Sequence, residues 1–183
     1  MVRCSRRDMI ILSVEADEAQ MSPRIHNFAT FLASGAGSGL FPYAPGTAGS
    51  IAGALCLLPL GYLTLELLWL VWAISCGLAV WSAGRAGTDW EVTDHPAIVI
   101  DEVVGVWLAY LIPITLLAVE FDSIHLILIA LVLFRLYDIV KPWPVNWVER
   151  RLPGGAGVVA DDLVAGAMAG FTAVIVLIAQ SVV

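Results

Sequence analysis

Three groups of charged residues stand at the ends of apolar runs in this sequence, and their side chains are of the types that bind metal ions and phosphate. Asp101–Glu102 precedes one apolar run and Asp161–Asp162 precedes another. Arg135, Asp138 and Lys141 close a third run at intervals of three residues, so they share one face of a helix. An apolar chain has little reason to place charges there unless they have a function.

The acidic side chains indicate a site for a divalent cation. A single acid at the start of a helix is explained well enough by the helix dipole. Two acid pairs that converge on Asp138 would repel one another, and a divalent cation would neutralise them. Oxygen ligands favour Mg²⁺, Ca²⁺ or Mn²⁺ over Zn²⁺. The candidate ligands are Asp101, Glu102, Asp138, Asp161 and Asp162.

The cations that follow the third run indicate an anionic ligand. The plainest explanation of Arg135 and Lys141 is that they pair with Asp138. One carboxylate needs only one cation, however, and Arg150 and Arg151 lie close by in sequence. Arginine binds phosphate with a forked geometry and lysine as a point charge, so the surplus of cations favours a phosphate ligand.

A segment rich in glycine and proline, over 34–50, is a second candidate for phosphate binding. Such loops are common without any ligand, but exposed backbone N–H groups and hydroxyls before a helix can also cradle phosphate. The segment lacks the Lys-Ser/Thr ending of a P-loop, which argues against a nucleotide. Its candidate phosphate-binding residues are Gly37, Ser38, Gly39, Thr47 and Ser50.

His95 follows Asp94 and precedes Pro96 in a polar connection. A lone histidine in a loop is usually only solvated, and that is the first interpretation here. Because the imidazole titrates near neutral pH, proton transfer is the second interpretation.

The composition indicates a membrane protein. Hydrophobic residues make up 60% of the chain and charged residues only 14%, against about 25% charged in soluble domains. The net charge of −7 and the lack of a basic run argue against a nucleic-acid partner. We expect a polar leader over 1–24 and one membrane domain over 25–183.

The apolar runs predict an all-α fold, a compact membrane bundle of about six helices. A run of seventeen residues rises about 25 Å, slightly less than the ~30 Å hydrocarbon core, so we expect some helices to span and some only to dip in. Pro113 is expected to kink its helix because it lacks an N–H, and Pro142 and Pro144 end the helix predicted over 124–140. The predicted helices are 25–33, 51–60, 62–83, 103–119, 124–140 and 163–183, with a tight turn at 120–123.

If these helices cross a membrane in turn, every long polar connection lies on the same side. The three charged groups and the glycine-rich segment lie on that side too. That side also carries all Lys and Arg residues after residue 24, which makes it cytoplasmic by the positive-inside rule. These cations are Arg85, Arg135, Lys141, Arg150 and Arg151.

Four blocks of this sequence carry a family resemblance, and they are Gly37–Ser50, Asp94–Gly105, Phe134–Pro144 and Gly154–Gly166. They resemble the blocks of the phosphatidylglycerophosphatase A family. The departures are mild, with Tyr137 where phenylalanine is expected and Glu149 where aspartate is commoner.

The resemblance implies a Mg²⁺-dependent phosphatase of the bacterial inner membrane, with a central helix surrounded by others. Its substrate would be phosphatidylglycerophosphate, from which it releases phosphate to leave phosphatidylglycerol. The metal would polarise the phosphoryl group and activate water, although an aspartyl-phosphate intermediate is an alternative. Arg135 and Lys141 would hold the phosphate. The expected catalytic residues are Asp101, Asp138, Lys141 and Asp162.

A second function uses the same carboxylates without catalysis. Carboxylates within a membrane often mark an ion path, so the alternative is a small divalent-cation transporter or binding protein. The acids here stand at one side, and only Glu66 lies within the other apolar runs, which favours the enzyme.

Overall fold

The computed structural model describes residues 23–117 and 124–182 of the 183-residue chain. Within these residues the regular structure is entirely helical, which confirms the predicted all-α fold. The helices are α1 Phe28–Ala33, α2 Pro45–Leu60, α3 Leu65–Asp89, α4 Ile100–Leu117, α5 Ile124–Val140, α6 Val145–Glu149 and α7 Gly154–Val182, with a 3₁₀ turn at Ser38–Leu40.

Helix α4 is the centre of the bundle. It contacts α1, α2, α3, α5 and α7, and most of its residues are buried, including the large side chains of Tyr110 and Leu111. A helix that is apolar all round is covered either by other protein elements or by lipid, and the burial of α4 inside the bundle shows that other helices cover it. The expected central helix is therefore α4, and α5 runs beside it over the predicted span.

Helix α2 begins earlier than the sequence predicts, because the second half of the glycine-rich segment is helical. Pro45 occupies the first turn, where its fixed φ and missing N–H suit a helix start. The small residues that follow let α2 lie close to α4 and the segment before it. A Cβ at Gly49 would overlap the Val99 side chain, and one at Gly53 would lie 3.0 Å from the Val103 Cα.

Helices α3 and α7 also extend into segments that the sequence indicates as polar connections. The two helices cross at a pair of glycines, where a Cβ on Gly155 would overlap the Val80 carbonyl oxygen and lie 2.5 Å from the Gly84 nitrogen. Their extension also moves Asp161 and Asp162. These acids lie in the third turn of α7 rather than at its start, so the helix dipole does not account for them.

Among the described residues, three helices, α3, α4 and α7, are long and apolar enough to cross a membrane, and α2 is a shorter apolar helix. Helix α5 has 17 residues and turns exposed Leu128, Val132 and Ile139 away from the bundle. The protein is thus a membrane protein, as its composition predicts. The predicted leader up to residue 22 and the turn at 120–123 lie outside the described residues.

Candidate active site

Four segments of the chain meet around a cavity of about 230 Å³. They are the first turn of α2, the segment before α4 with the first turn of α4, the C-terminal end of α5, and the α7 segment around its third turn. The structure therefore brings together the acid pairs and two members of the α5 ladder. The polar and charged residues that line the cavity are Asp94, Asp101, Glu102, Asp138, Lys141, Asp161 and Asp162.

A carboxylate triad from α4 and α7 lies at this cavity. Asp101, Glu102 and Asp162 each offer one oxygen, and these oxygens lie within 4.8 Å of one another. Asp101 is 7% exposed and Asp162 4% exposed. Like charges at this separation repel strongly where water is scarce.

The triad fits a divalent cation by its donor set. All three groups are oxygen ligands, as Mg²⁺, Mn²⁺ and Ca²⁺ prefer. Glu102 Oε2 is buried and, within the described chain, accepts no hydrogen bond, although a buried polar atom normally has a partner. A cation bound by the triad would both supply that partner and offset the repulsion.

The α5 ladder divides into two ion pairs. Arg135 Nη1 donates to Asp138 Oδ2, three residues on along the helix. Lys141 instead reaches across to α7, where its Nζ donates to Asp161 Oδ2 at 2.9 Å. Asp138 and Asp161 line the cavity outside the triad, each with a cation beside it. That Asp138 and Asp161 bind the metal directly stays a prediction.

The backbone of Lys141 carries a conformational cost. Its φ is +43°, in the left-handed region, and a residue with a Cβ adopts this region at a cost of about 1–2 kcal/mol. Lys141 N–H still donates to the Tyr137 carbonyl at 2.9 Å, which ends α5. Strain of this kind tends to persist where a side chain has a functional position to hold, and the Lys141 side chain lines the cavity.

Arg135 lies behind the carboxylates and is not among the lining residues. Its Nη1 is 3.9 Å from Glu102 Oε1 and donates to Ser50 Oγ at 3.3 Å. Its Nη2 donates to Thr47 Oγ1 at 3.5 Å. Thr47 and Ser50, predicted to contact phosphate from a loop, are helical residues that contact Arg135.

Comparison with known proteins identifies the family to which this arrangement belongs. A family model described as Phosphatidylglycerophosphatase A matches residues 31–177. The chain belongs to the phosphatidylglycerophosphatase A family. An Escherichia coli K12 protein named phosphatidylglycerophosphatase A is 37% identical over 162 residues, 86% of this chain and 88% of the relative. A Haemophilus influenzae protein of that name is 40% identical over 139 residues, 73% of this chain and 79% of the relative.

A third relative carries a different name. A Bacteroides thetaiotaomicron protein provisionally named phosphatidylinositol-3-phosphatase is 36% identical over 143 residues, 74% of this chain and 84% of the relative. No solved structure matches the chain. The family that the four sequence blocks predict is confirmed, and with it the assignment of the chain to the phosphatase enzymes.

The first part of the glycine-rich family block does not reach the cavity. The N–H groups of Gly37, Ser38 and Gly39 donate to the carbonyls of Ser34 and Gly35, at 2.9–3.2 Å. A Cβ on Gly39 would overlap the Ala97 carbonyl oxygen, so this glycine permits a close contact. Gly37, Ser38 and Gly39 are not among the residues that line the cavity, and their phosphate contacts stay a prediction.

The second part of the same family block does line the cavity, through Pro45 and Gly46, which the sequence interpretation overlooked. A proline followed by small residues is typical of a first helical turn, and that signal could have located them. Both residues stand where α2 meets the α4 acids. A Cβ on Gly46 would overlap Glu102 Oε1.

His95 lies beside the family site without lining the cavity, although its neighbours Asp94 and Pro96 do. Its Nδ1 accepts a hydrogen bond from the Ala97 N–H at 3.0 Å, and its ring centroid is 5.2 Å from that of Trp90. These contacts account for the ring's position in the fold. Proton transfer by His95 stays a prediction.

Proposed function

We propose that the protein hydrolyses the terminal phosphomonoester of phosphatidylglycerophosphate, using Mg²⁺, at the cytoplasmic face of a bacterial inner membrane. The product, phosphatidylglycerol, would make this a step of phospholipid biosynthesis. The observation that carries the proposal is the triad of Asp101, Glu102 and Asp162 at a cavity that Lys141 also lines. The names of the Escherichia coli and Haemophilus influenzae relatives supply the substrate.

Six of the charged residues that line the cavity have roles in this proposal. Asp101, Glu102 and Asp162 hold the metal, and Asp138 and Asp161 complete its surroundings. A bound Mg²⁺ supplies polarisation of the phosphoryl oxygen and raises the acidity of a coordinated water. The Lys141 ammonium, oriented by Asp161, stabilises negative charge on the phosphate oxygens. A carboxylate of the cavity takes the proton from water as the water attacks phosphorus, the bond from phosphorus to the glycerol oxygen breaks, and that oxygen leaves with a proton. In the alternative route an aspartate attacks phosphorus and displaces the same alcohol, and water then cleaves the aspartyl phosphate to release phosphate.

The position of the cavity suits a lipid substrate. The carboxylates lie at one end of apolar helices, so a headgroup could enter the cavity while its acyl chains remain in the bilayer. The cytoplasmic orientation rests on the cations near this end, which include Arg135, Lys141, Arg150 and Arg151.

Metal removal is the direct test. The purified protein in detergent should release phosphate from phosphatidylglycerophosphate with Mg²⁺, fall to background with EDTA, and recover when Mg²⁺ is restored in excess. Because one relative is named for another phosphorylated lipid, phosphatidylinositol 3-phosphate serves as the comparison substrate. Faster phosphate release from phosphatidylinositol 3-phosphate would show that this lipid, not phosphatidylglycerophosphate, is the preferred substrate. Phosphate release that EDTA leaves unchanged would contradict the proposed metal dependence.

The alternative, a cation transporter or binding protein, has less support. A transporter needs polar groups along its path, because charges are expensive in the bilayer centre. Within the described residues, α4 carries no charged side chain after Glu102 and α7 none after Asp162. The carboxylates therefore form a site at one end of the bundle, which suits catalysis at the membrane surface.

Two substitutions of Lys141 separate its ammonium from its backbone conformation. Lys141→Gly and Lys141→Ala should each lower kcat/KM about 100-fold, because both remove a positive charge aimed at the phosphate. Lys141→Gly should be more stable than Lys141→Ala by about 1 kcal/mol, since glycine adopts positive φ without strain. Phosphate release and thermal unfolding in detergent measure both effects. Wild-type activity in both variants would remove Lys141 from phosphate binding.

A further inference from the structure

The guanidinium of Arg135 joins the cavity carboxylates to α2. Towards the cavity, Nη1 donates to Asp138 and lies 3.9 Å from Glu102 Oε1. Towards α2, Nη1 donates to Ser50 Oγ at 3.3 Å and Nη2 to Thr47 Oγ1 at 3.5 Å. Two helical hydroxyls one turn apart accept from its two terminal nitrogens, so the rotation of the guanidinium is restricted from the α2 side.

The Ser50 hydroxyl is placed to accept a hydrogen bond from Arg135. Ser50 is not among the residues that line the cavity. Its side chain is fully buried, and its hydroxyl donates its one hydrogen to the Gly46 carbonyl at 2.8 Å. The oxygen is left with lone pairs, and one of them faces Arg135. A hydroxyl in this state cannot also donate to a phosphate.

Gly46 provides the space in which this network meets the triad. A Cβ at this position would overlap Glu102 Oε1 and lie 3.3 Å from Arg135 Nη1. The first turn of α2 therefore both admits the Glu102 carboxylate and, through Ser50 and Thr47, braces the cation next to it.

We propose that Arg135 is a positioning residue for the Glu102 and Asp138 carboxylates, and that Ser50 is the buried hydroxyl that fixes Arg135. This role replaces the phosphate contacts expected of Arg135, Thr47 and Ser50, and it rests on the metal-dependent function proposed above. Groups that orient metal-binding side chains from outside commonly affect metal affinity about 10- to 100-fold. Ser50 acts through Arg135, so its effect lies at or below the lower end of that range.

The test compares two buried serines. Ser82 is also fully buried in a helix and donates to a backbone carbonyl, that of Ala79 at 3.3 Å, but it does not line the cavity. Mn²⁺ binding to the detergent-solubilised full chain, measured by electron paramagnetic resonance without substrate, should weaken about 3- to 10-fold in Ser50→Ala. Ser82→Ala should bind Mn²⁺ as the wild type does. Equal affinity in the two variants, or tighter binding in Ser50→Ala, would overturn the proposal.

A double-mutant cycle tests whether Ser50 acts through Arg135. In an Arg135→Lys background, which keeps the charge and loses the fork, Ser50→Ala should weaken Mn²⁺ binding no further. If the loss of Mn²⁺ affinity caused by Ser50→Ala adds in full to the loss caused by Arg135→Lys, Ser50 does not act through Arg135 and the proposal is overturned. Should Ser50→Ala unfold, exposed Thr47→Ala replaces it, with a smaller expected loss.

The two proposals fail differently. Wild-type protein that binds no Mn²⁺ would overturn both the metal-dependent function and the positioning role. Wild-type protein that binds Mn²⁺ and releases phosphate, with Ser50→Ala indistinguishable from Ser82→Ala, would overturn the positioning role alone.

Discussion

Asp162→Asn is expected to lower kcat/KM for lipid phosphate release by about 1,000-fold or more while leaving the fold intact. Asp162 is 4% exposed, and one of its oxygens lies within 4.8 Å of oxygens of Asp101 and Glu102. An amide cannot supply the negative charge that holds the cation, and the cation's contribution is several kcal/mol at about 1.4 kcal/mol per tenfold. Without metal, the unfolding temperature should not fall, because the substitution removes one of three mutually repelling charges.

The matched control for Asp162→Asn is Glu66→Gln. It also replaces a carboxylate by an amide in a long apolar helix, but Glu66 lies in the first turn of α3 and does not line the cavity. Glu66→Gln should release phosphate from lipid in mixed micelles at the wild-type rate and should unfold at the wild-type temperature. Near-normal activity in Asp162→Asn would remove this residue from the metal site.

Parts of the fold were predictable from sequence. The family resemblance implies a central helix, and the structure shows that the apolar run of α4 is that helix. The α5 run ends at prolines, where the structure ends the helix at Val140. For α5 a long apolar stretch and a local stop signal agree, so tertiary contacts had nothing to overrule.

Glycine obscured the helix starts of α2 and α7 in the sequence, although Pro45 is a start signal for α2. Glycine lowers helix propensity, so segments that contain Gly46, Gly49, Gly154 and Gly155 indicate loops. In the structure, Gly155 lets the α7 backbone approach the α3 backbone, and Gly46 and Gly49 make room for side chains that pack against α2. This packing outweighs the lower propensity. That packing depends on which helix lies opposite, information that local sequence does not contain.

The partners of the charged ladder were unpredictable for a similar reason. A spacing of three residues puts Arg135, Asp138 and Lys141 on one face, and the Arg135–Asp138 pair follows from it. The left-handed backbone at Lys141 and the third turn of α7 then bring its ammonium to Asp161. Pairing across helices depends on how the helices pack, so the spacing alone could not assign it.

The close contact of α4 with α7 is what sets the triad's geometry. A Cβ at Gly166 would overlap the Gly105 carbonyl oxygen and lie 3.1 Å from its Cα. These atoms belong to the backbone of a buried helix, so they cannot swing aside as a side chain could. Asp162 stands one turn before Gly166, and Asp101–Glu102 stands one turn before Gly105. Any separation of the helices at the glycines therefore separates the carboxylates.

Gly166→Ala is accordingly expected to destabilise the protein by about 1–3 kcal/mol and to lower kcat/KM about 100-fold, since a shift of about 1 Å in a site can have that effect. Gly77→Ala in α3 is the control, because a Cβ there meets nothing within 4 Å. Gly77→Ala should keep full activity and unfold at a temperature no lower than that of the wild type, because alanine is more favourable than glycine inside a helix by up to about 1 kcal/mol. Thermal unfolding in detergent and phosphate release measure both variants. If Gly166→Ala behaves like Gly77→Ala, the α4–α7 contact does not hold the triad together, and the carboxylates must be fixed from the α2 and α5 side instead.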